Sequence, residues 1–66
     1  MEELFTTAEL AKLLKLSPRS LEDDRLRGKG IPFVRIGASV RYRASDVRAF
    51  LDKNVRVSTS NSGVAA

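Results

Sequence analysis

The chain has 66 residues, with 12 Lys and Arg against 8 Asp and Glu, a net charge of +4, and no Cys, His or Trp. That length allows one small domain with a marginal core, and the missing residue types exclude a disulfide framework, the usual zinc ligands and His-based acid–base catalysis. An acidic start (Glu2, Glu3) and apolar runs far short of the ~18 residues of a membrane span predict a cytoplasmic protein with no leader and no membrane contact.

Phe5-Thr6-Thr7-Ala8-Glu9-Leu10 opens the first predicted helix, over about 7–14. Thr6 at the N-cap and Glu9 three residues later make a capping box, and Phe5 is placed to staple onto Leu10. Leu10, Leu13 and Leu14 follow at the spacing of one buried stripe. Lys15-Leu16 is then a short turn. Ser17 caps a second helix, about 18–27, with Pro18 in the first-turn position that needs no N–H donor. Arg25 and Arg27 suit its last turn, and Gly28 its left-handed stop. Two helices joined this closely form a helix-turn-helix layout.

After Lys29-Gly30-Ile31-Pro32 the period changes to two. Phe33–Ile36 and Val40–Arg43 flank Gly37-Ala38-Ser39 and predict a hairpin. With a three-residue turn, Val34, Ile36, Val40 and Tyr42 share an apolar face, and Arg35, Arg41 and Arg43 the opposite one. Ser45 is the expected cap of a third helix, with Asp46 in its first turn and Val47, Phe50 and Leu51 as its apolar stripe.

Charge divides the chain. Residues 1–24 hold six acids and three bases, a net of −3; residues 25–57 hold nine bases and two acids, a net of +7; the last nine residues have no charged side chain. Eight of the twelve bases are Arg, the residue suited to guanine edges and phosphate oxygens. A concentrated positive segment fits a polyanion. No Gly-rich phosphate loop or converging carboxylate pair accompanies it. The neighbours Asp23 and Asp24 diverge by ~100° on a helix, so they are not an acid–base pair. A non-enzymatic binding protein without cofactor or metal is expected.

Taken in order, Thr6–Leu14, Ser17–Leu21, Gly28–Gly37, Val40–Arg43 and Ser45–Leu51 resemble the small MerR-like winged helix-turn-helix domains. That family includes phage and plasmid excisionases and short prophage regulators. The resemblance covers about residues 4–53 and implies a mostly α fold with a β-hairpin wing, in the order α-α-β-β-α. The DNA-binding domain is then expected over 1–57, and residues 58–66, low in bulky apolar side chains, are expected to form a disordered tail. The resemblance further implies that the second helix enters the major groove and the wing an adjacent minor groove. For an excisionase, the partners are double-stranded DNA, further copies of the chain on neighbouring sites, and a tyrosine integrase. The chain departs from the pattern at Lys15, commonly Gly, and at Asp23, Asp24, Ala38 and Ser39, where bases or an aromatic are common.

On this reading Arg19 and Ser20, in the first turn of the second helix, reach base edges. Arg27, Lys29, Arg35, Arg41 and Arg43 contact phosphates or the minor groove. The alternative for the wing arginines is charge that prevents edge-to-edge aggregation. Asp23 is one helical step from Arg19 and Arg27 and predicts an exposed ion-pair ladder. Asp24 falls within ~60° of the core-facing Leu21, whereas Leu26 points well away from it: either the helix ends early, or the two face a neighbouring element, and an exposed Leu26 is a candidate contact with another copy. A transcription regulator with the same interface, and a protein-binding adaptor with no DNA role, are the competing functions.

Overall fold

The computed structural model describes residues 1–57, so the tail expected over 58–66 lies outside the described residues. α1 spans Thr7–Leu14. Its capping box is closed on both sides: Thr6 Oγ1 accepts from the Glu9 N–H at 3.1 Å, and the Glu9 carboxylate accepts from the Thr6 N–H at 2.9 Å. Leu10 and Ala11 are buried and Leu14 is half-buried, but Leu13 is exposed. The inward face is centred between residues 10, 11 and 14, which leaves Leu13 roughly 110° round the helix. There it borders a shallow groove of about 340 Å³ with Phe5, Val47 and Leu51.

Lys15 ends α1 in the left-handed region, at φ 60° and ψ 42°. The Leu16 N–H donates to the Ala11 carbonyl at 2.9 Å and the Lys15 N–H to that of Lys12 at 3.3 Å, the bond pair of a Schellman motif. A Cβ is strained there by ~1–2 kcal/mol, partly offset by the greater unfolded-state freedom of Gly. Lys15→Gly is therefore expected to stabilise the fold by about 0.5–1 kcal/mol, read as a higher midpoint in thermal unfolding. An unchanged or lower midpoint would contradict a strained turn.

α2 spans Pro18–Leu26, with Ser17 Oγ accepting from the Ser20 N–H at 3.2 Å. A second Schellman motif ends it as expected at Gly28, φ 70°: the Lys29 N–H donates to the Asp24 carbonyl at 2.9 Å and the Gly28 N–H to that of Arg25 at 3.1 Å. Leu21 is the one fully buried side chain of α2. Leu26 is 84% exposed. Asp24 does turn inward, but towards a loop. A Cβ on Gly30 (φ 87°) would lie 2.9 Å from the Asp24 Cβ.

β2 (Val34–Ile36) and β3 (Ser39–Arg43) form the hairpin with a shorter turn than the expected three residues. The register pairs Val34 with Arg41, Arg35 with Val40 and Ile36 with Ser39, leaving only Gly37-Ala38 as the loop. Gly37 has φ 60°, the positive first position that a type II′ turn requires. Because directly paired residues share a face, the one-residue difference moves β2 over. Arg35 lies on the face of Val40 and Tyr42, and Val34 and Ile36 lie on that of Arg41. The expected separation into an apolar and an arginine face is therefore overturned.

A further strand, β1 (Leu4–Phe5), pairs with β3 to give the sheet order β1-β3-β2. α3 spans Ala44–Lys53 and starts earlier than expected. Arg43 takes the N-cap position and makes no side-chain cap bond, which corrects the assignment of Ser45 as the cap. Instead the Ser45 N–H and hydroxyl donate to the Glu2 carboxylate at 2.8 and 3.1 Å. Val47 is buried, Phe50 half-buried and Leu51 exposed. Leu10, Ala11, Leu21, Ile31, Tyr42 and Val47 make the core. Apart from β1, the order is the expected α-α-β-β-α.

The Ser45 backbone N–H, and next its hydroxyl, hold the Glu2 carboxyl below its ordinary value of 4.5. A pKa depressed by folding contributes stability above the unfolded value, which is lost as pH falls through the folded one. Glu2→Gln should therefore melt below wild type near neutral pH, with the gap closing as the pH falls below 4.5. A gap independent of pH would show that the carboxylate charge plays no part.

Candidate nucleic-acid interface

α2 packs on the domain through Leu21 and leaves its first turn to solvent. With Leu21 as its one fully buried side chain, its sequence Pro-Arg-Ser-Leu-Glu-Asp-Asp-Arg-Leu leaves polar side chains around most of its circumference. The Ser17 cap and Pro18 set where it begins, so Arg19 and Ser20 lie in the first turn. The Ser20 hydroxyl is 3.0 Å from that of Ser17. Arg19 Nε donates to Asp23 Oδ1 at 3.3 Å, the first rung of the expected ladder. The second rung, Asp23 to Arg27, is absent among the described residues. With Arg19 largely exposed, one such pair is worth ~0.3–0.5 kcal/mol, little enough for another anion to displace. Arg27 caps the other end of α2, and Lys29 follows Gly28; both are exposed.

The wing arginines occupy three different settings. Arg43 is held by Asp46 in a two-pronged pair, Nε to Oδ2 at 2.7 Å and Nη2 to Oδ1 at 3.1 Å. That bonding, reinforced by the charge of Asp46, raises the Arg43 pKa further above its ordinary value. Arg41 is half-buried and donates from Nη1 to the Val40 carbonyl at 2.8 Å. Arg35 is exposed, with its guanidinium carbon 5.9 Å from the centre of the Phe33 ring. Among the described residues only Arg19 and Arg43 have a carboxylate within 4 Å. The other cations of α2, the loop and the wing have no carboxylate partner among the described residues.

Two residues outside the sequence-derived set join α2 to the wing. Arg25 Nη1 donates to the Tyr42 hydroxyl oxygen at 2.8 Å and to Thr7 Oγ1 at 3.3 Å, and its guanidinium lies 5.6 Å from the Phe33 ring centre. Phe33 in turn meets Tyr42, ring centres 6.4 Å apart. Tyr42, only 1% exposed, is a core residue as expected, not a stacking platform. A signal for Phe33 was present in the sequence: it stands two residues before Arg35, just ahead of β2, a spacing that puts both on one face of extended chain. Arg25 had none, since its partners lie 17 and 18 residues away.

A family described as a helix-turn-helix domain matches residues 4–55, most of the chain and all three helices and strands. The chain belongs to that family. In this helix-turn-helix domain α1 and α2 are the two namesake helices, and the family supports DNA as the ligand. No curated protein and no solved structure matches the chain significantly. Among the described residues of the helix-turn-helix domain, no cluster of three or more Asp or Glu could hold a metal ion, and no helix is long and apolar enough to cross a membrane.

Proposed function

We propose that this helix-turn-helix protein is a sequence-specific, non-enzymatic DNA-binding excisionase. It binds repeated sites cooperatively, bends the duplex and directs a tyrosine integrase towards excision. The observation that carries the DNA-binding part is α2, a mostly polar helix with an exposed first turn, flanked by a wing in which Arg35 and Arg41 have no carboxylate partner among the described residues. Arg19 and Ser20 meet base edges from the first turn of α2. Arg27, Lys29, Arg35 and Arg41 contact phosphates, and Arg43, engaged by Asp46, contributes least. So small a footprint reads few base pairs, and neighbouring copies on repeats supply the missing specificity. The resemblance to excisionases supports the assignment to recombination.

The test is a gel-shift titration of DNA flanking the gene against a scrambled duplex of equal length, at about 0.05 and 0.2 M salt. A ladder of discrete shifts on the flanking duplex alone, weakened steeply by salt, is the expected result. Equal smeared binding to both duplexes would contradict sequence-specific cooperative binding. No shift on either would overturn the DNA reading in favour of an adaptor.

A further inference from the structure

Arg35 stands one residue pair from the wing loop, on a long side chain whose rotamer freedom is worth ~2 kcal/mol. A cation left to explore that freedom is a poor ligand for an anion at a fixed place. The register changes its situation. Phe33 precedes Arg35 by two residues and extends the inward face of β2, so its ring lies beneath the guanidinium at 5.9 Å. The ring is itself held: it packs on the buried Tyr42 on one side and carries the Arg25 guanidinium at 5.6 Å. Arg25 is committed by its bonds to Tyr42 and Thr7, which leaves Arg35 as the movable member of the group.

Resting on the DNA-binding reading, we propose that Phe33 is a positioning residue that holds Arg35 ready for a backbone phosphate beside α2. A guanidinium resting against a ring has its position restrained by that contact, while its N–H groups remain available for the two bonds that a phosphate accepts. No carboxylate competes for those groups, because among the described residues none lies within 4 Å of Arg35. The same stacking brings a second cation, Arg25, to the ring, so the phosphate meets a field from both α2 and the wing. Phe33 touches no nucleic acid in this arrangement. It acts through Arg35.

The experiment measures affinity and its salt dependence for the flanking duplex by fluorescence anisotropy, in wild type, Phe33→Leu, Phe33→Tyr, Arg35→Ala and the Phe33→Leu/Arg35→Ala double variant. Phe33→Leu is expected to weaken binding about five- to tenfold and to lower the salt slope by up to about 0.9, one phosphate contact. Phe33→Tyr, which keeps the ring, should bind as wild type. In the Arg35→Ala background, Phe33→Leu should have no further effect. An equal loss in both backgrounds, or an unchanged slope in Phe33→Leu, would overturn the positioning role. Failure of the wild type to bind any duplex would instead overturn the underlying DNA reading. Should Phe33→Leu not fold, NMR of the free wild type still decides: ring-current-shifted Arg35 δ protons support the contact, and unshifted ones exclude it.

Discussion

Gly30→Ala should cost this domain at least about 2 kcal/mol, lowering its melting temperature by roughly 10 °C. Two independent costs combine at this position. The backbone has φ 87°, which an L side chain rarely adopts, and the new Cβ would lie 2.9 Å from the Asp24 Cβ, on a helix that cannot yield cheaply. Gly28→Ala is the control: its φ is 70°, but nothing lies within 4 Å of the added Cβ. It should cost only about 1 kcal/mol. Equal melting temperatures for the two variants would show that the loop does not press on Asp24. A domain of this size rarely has more than ~3–5 kcal/mol to lose, so Gly30→Ala should be partly unfolded at moderate temperature.

The second large effect concerns the wing. Arg35→Ala is expected to weaken binding to the flanking duplex about tenfold and to reduce the slope of log affinity against log salt by close to 0.9. Arg43→Ala should change that slope far less, because Asp46 already takes both prongs of its guanidinium. Binding isotherms at four or more salt concentrations separate the two variants. A larger slope change for Arg43→Ala than for Arg35→Ala would mean that DNA breaks the Asp46 pair.

That contrast depends on a register that the alternation of residues did not reveal. Val34-Arg35-Ile36 and Val40-Arg41-Tyr42-Arg43 each alternate cleanly, so either strand alone fits either face. Only the loop length decides between them. Gly37-Ala38 as a two-residue turn was legible in principle, since Gly with positive φ at its first position is the type II′ requirement. The helix boundaries were far more readable. Thr6 with Glu9, Ser17 with Pro18, and Gly28 act on backbone groups within a few residues, so their chemistry is written locally. Ser45 misled because its partner, the Glu2 carboxylate, lies 43 residues away. Leu4–Phe5 is too short for any period, and only β3 makes it a strand. At the candidate interface the cations themselves were legible from type and position. What each is bonded to was not, because Asp46, Phe33 and the Val40 carbonyl distinguish three wing arginines of identical chemistry.

The pairing of β1 with β3 also sets an order of events during synthesis. Leu4 and Phe5 have Arg43 and Tyr42 as their partners, the Glu3 carbonyl accepts from the Ala44 N–H at 3.0 Å, and Glu2 waits for Ser45. Residues 2–5 therefore leave the ribosome well before the residues 42–45 that receive them. Long-range pairing of this kind slows the closing step and makes it cooperative. Closure of β1 onto β3 and the Glu2 bonds at the start of α3 both wait for residues 42–45. A nascent chain stalled before Arg43 leaves the ribosomal tunnel has both namesake helices in sequence and no closed sheet to hold the wing against them.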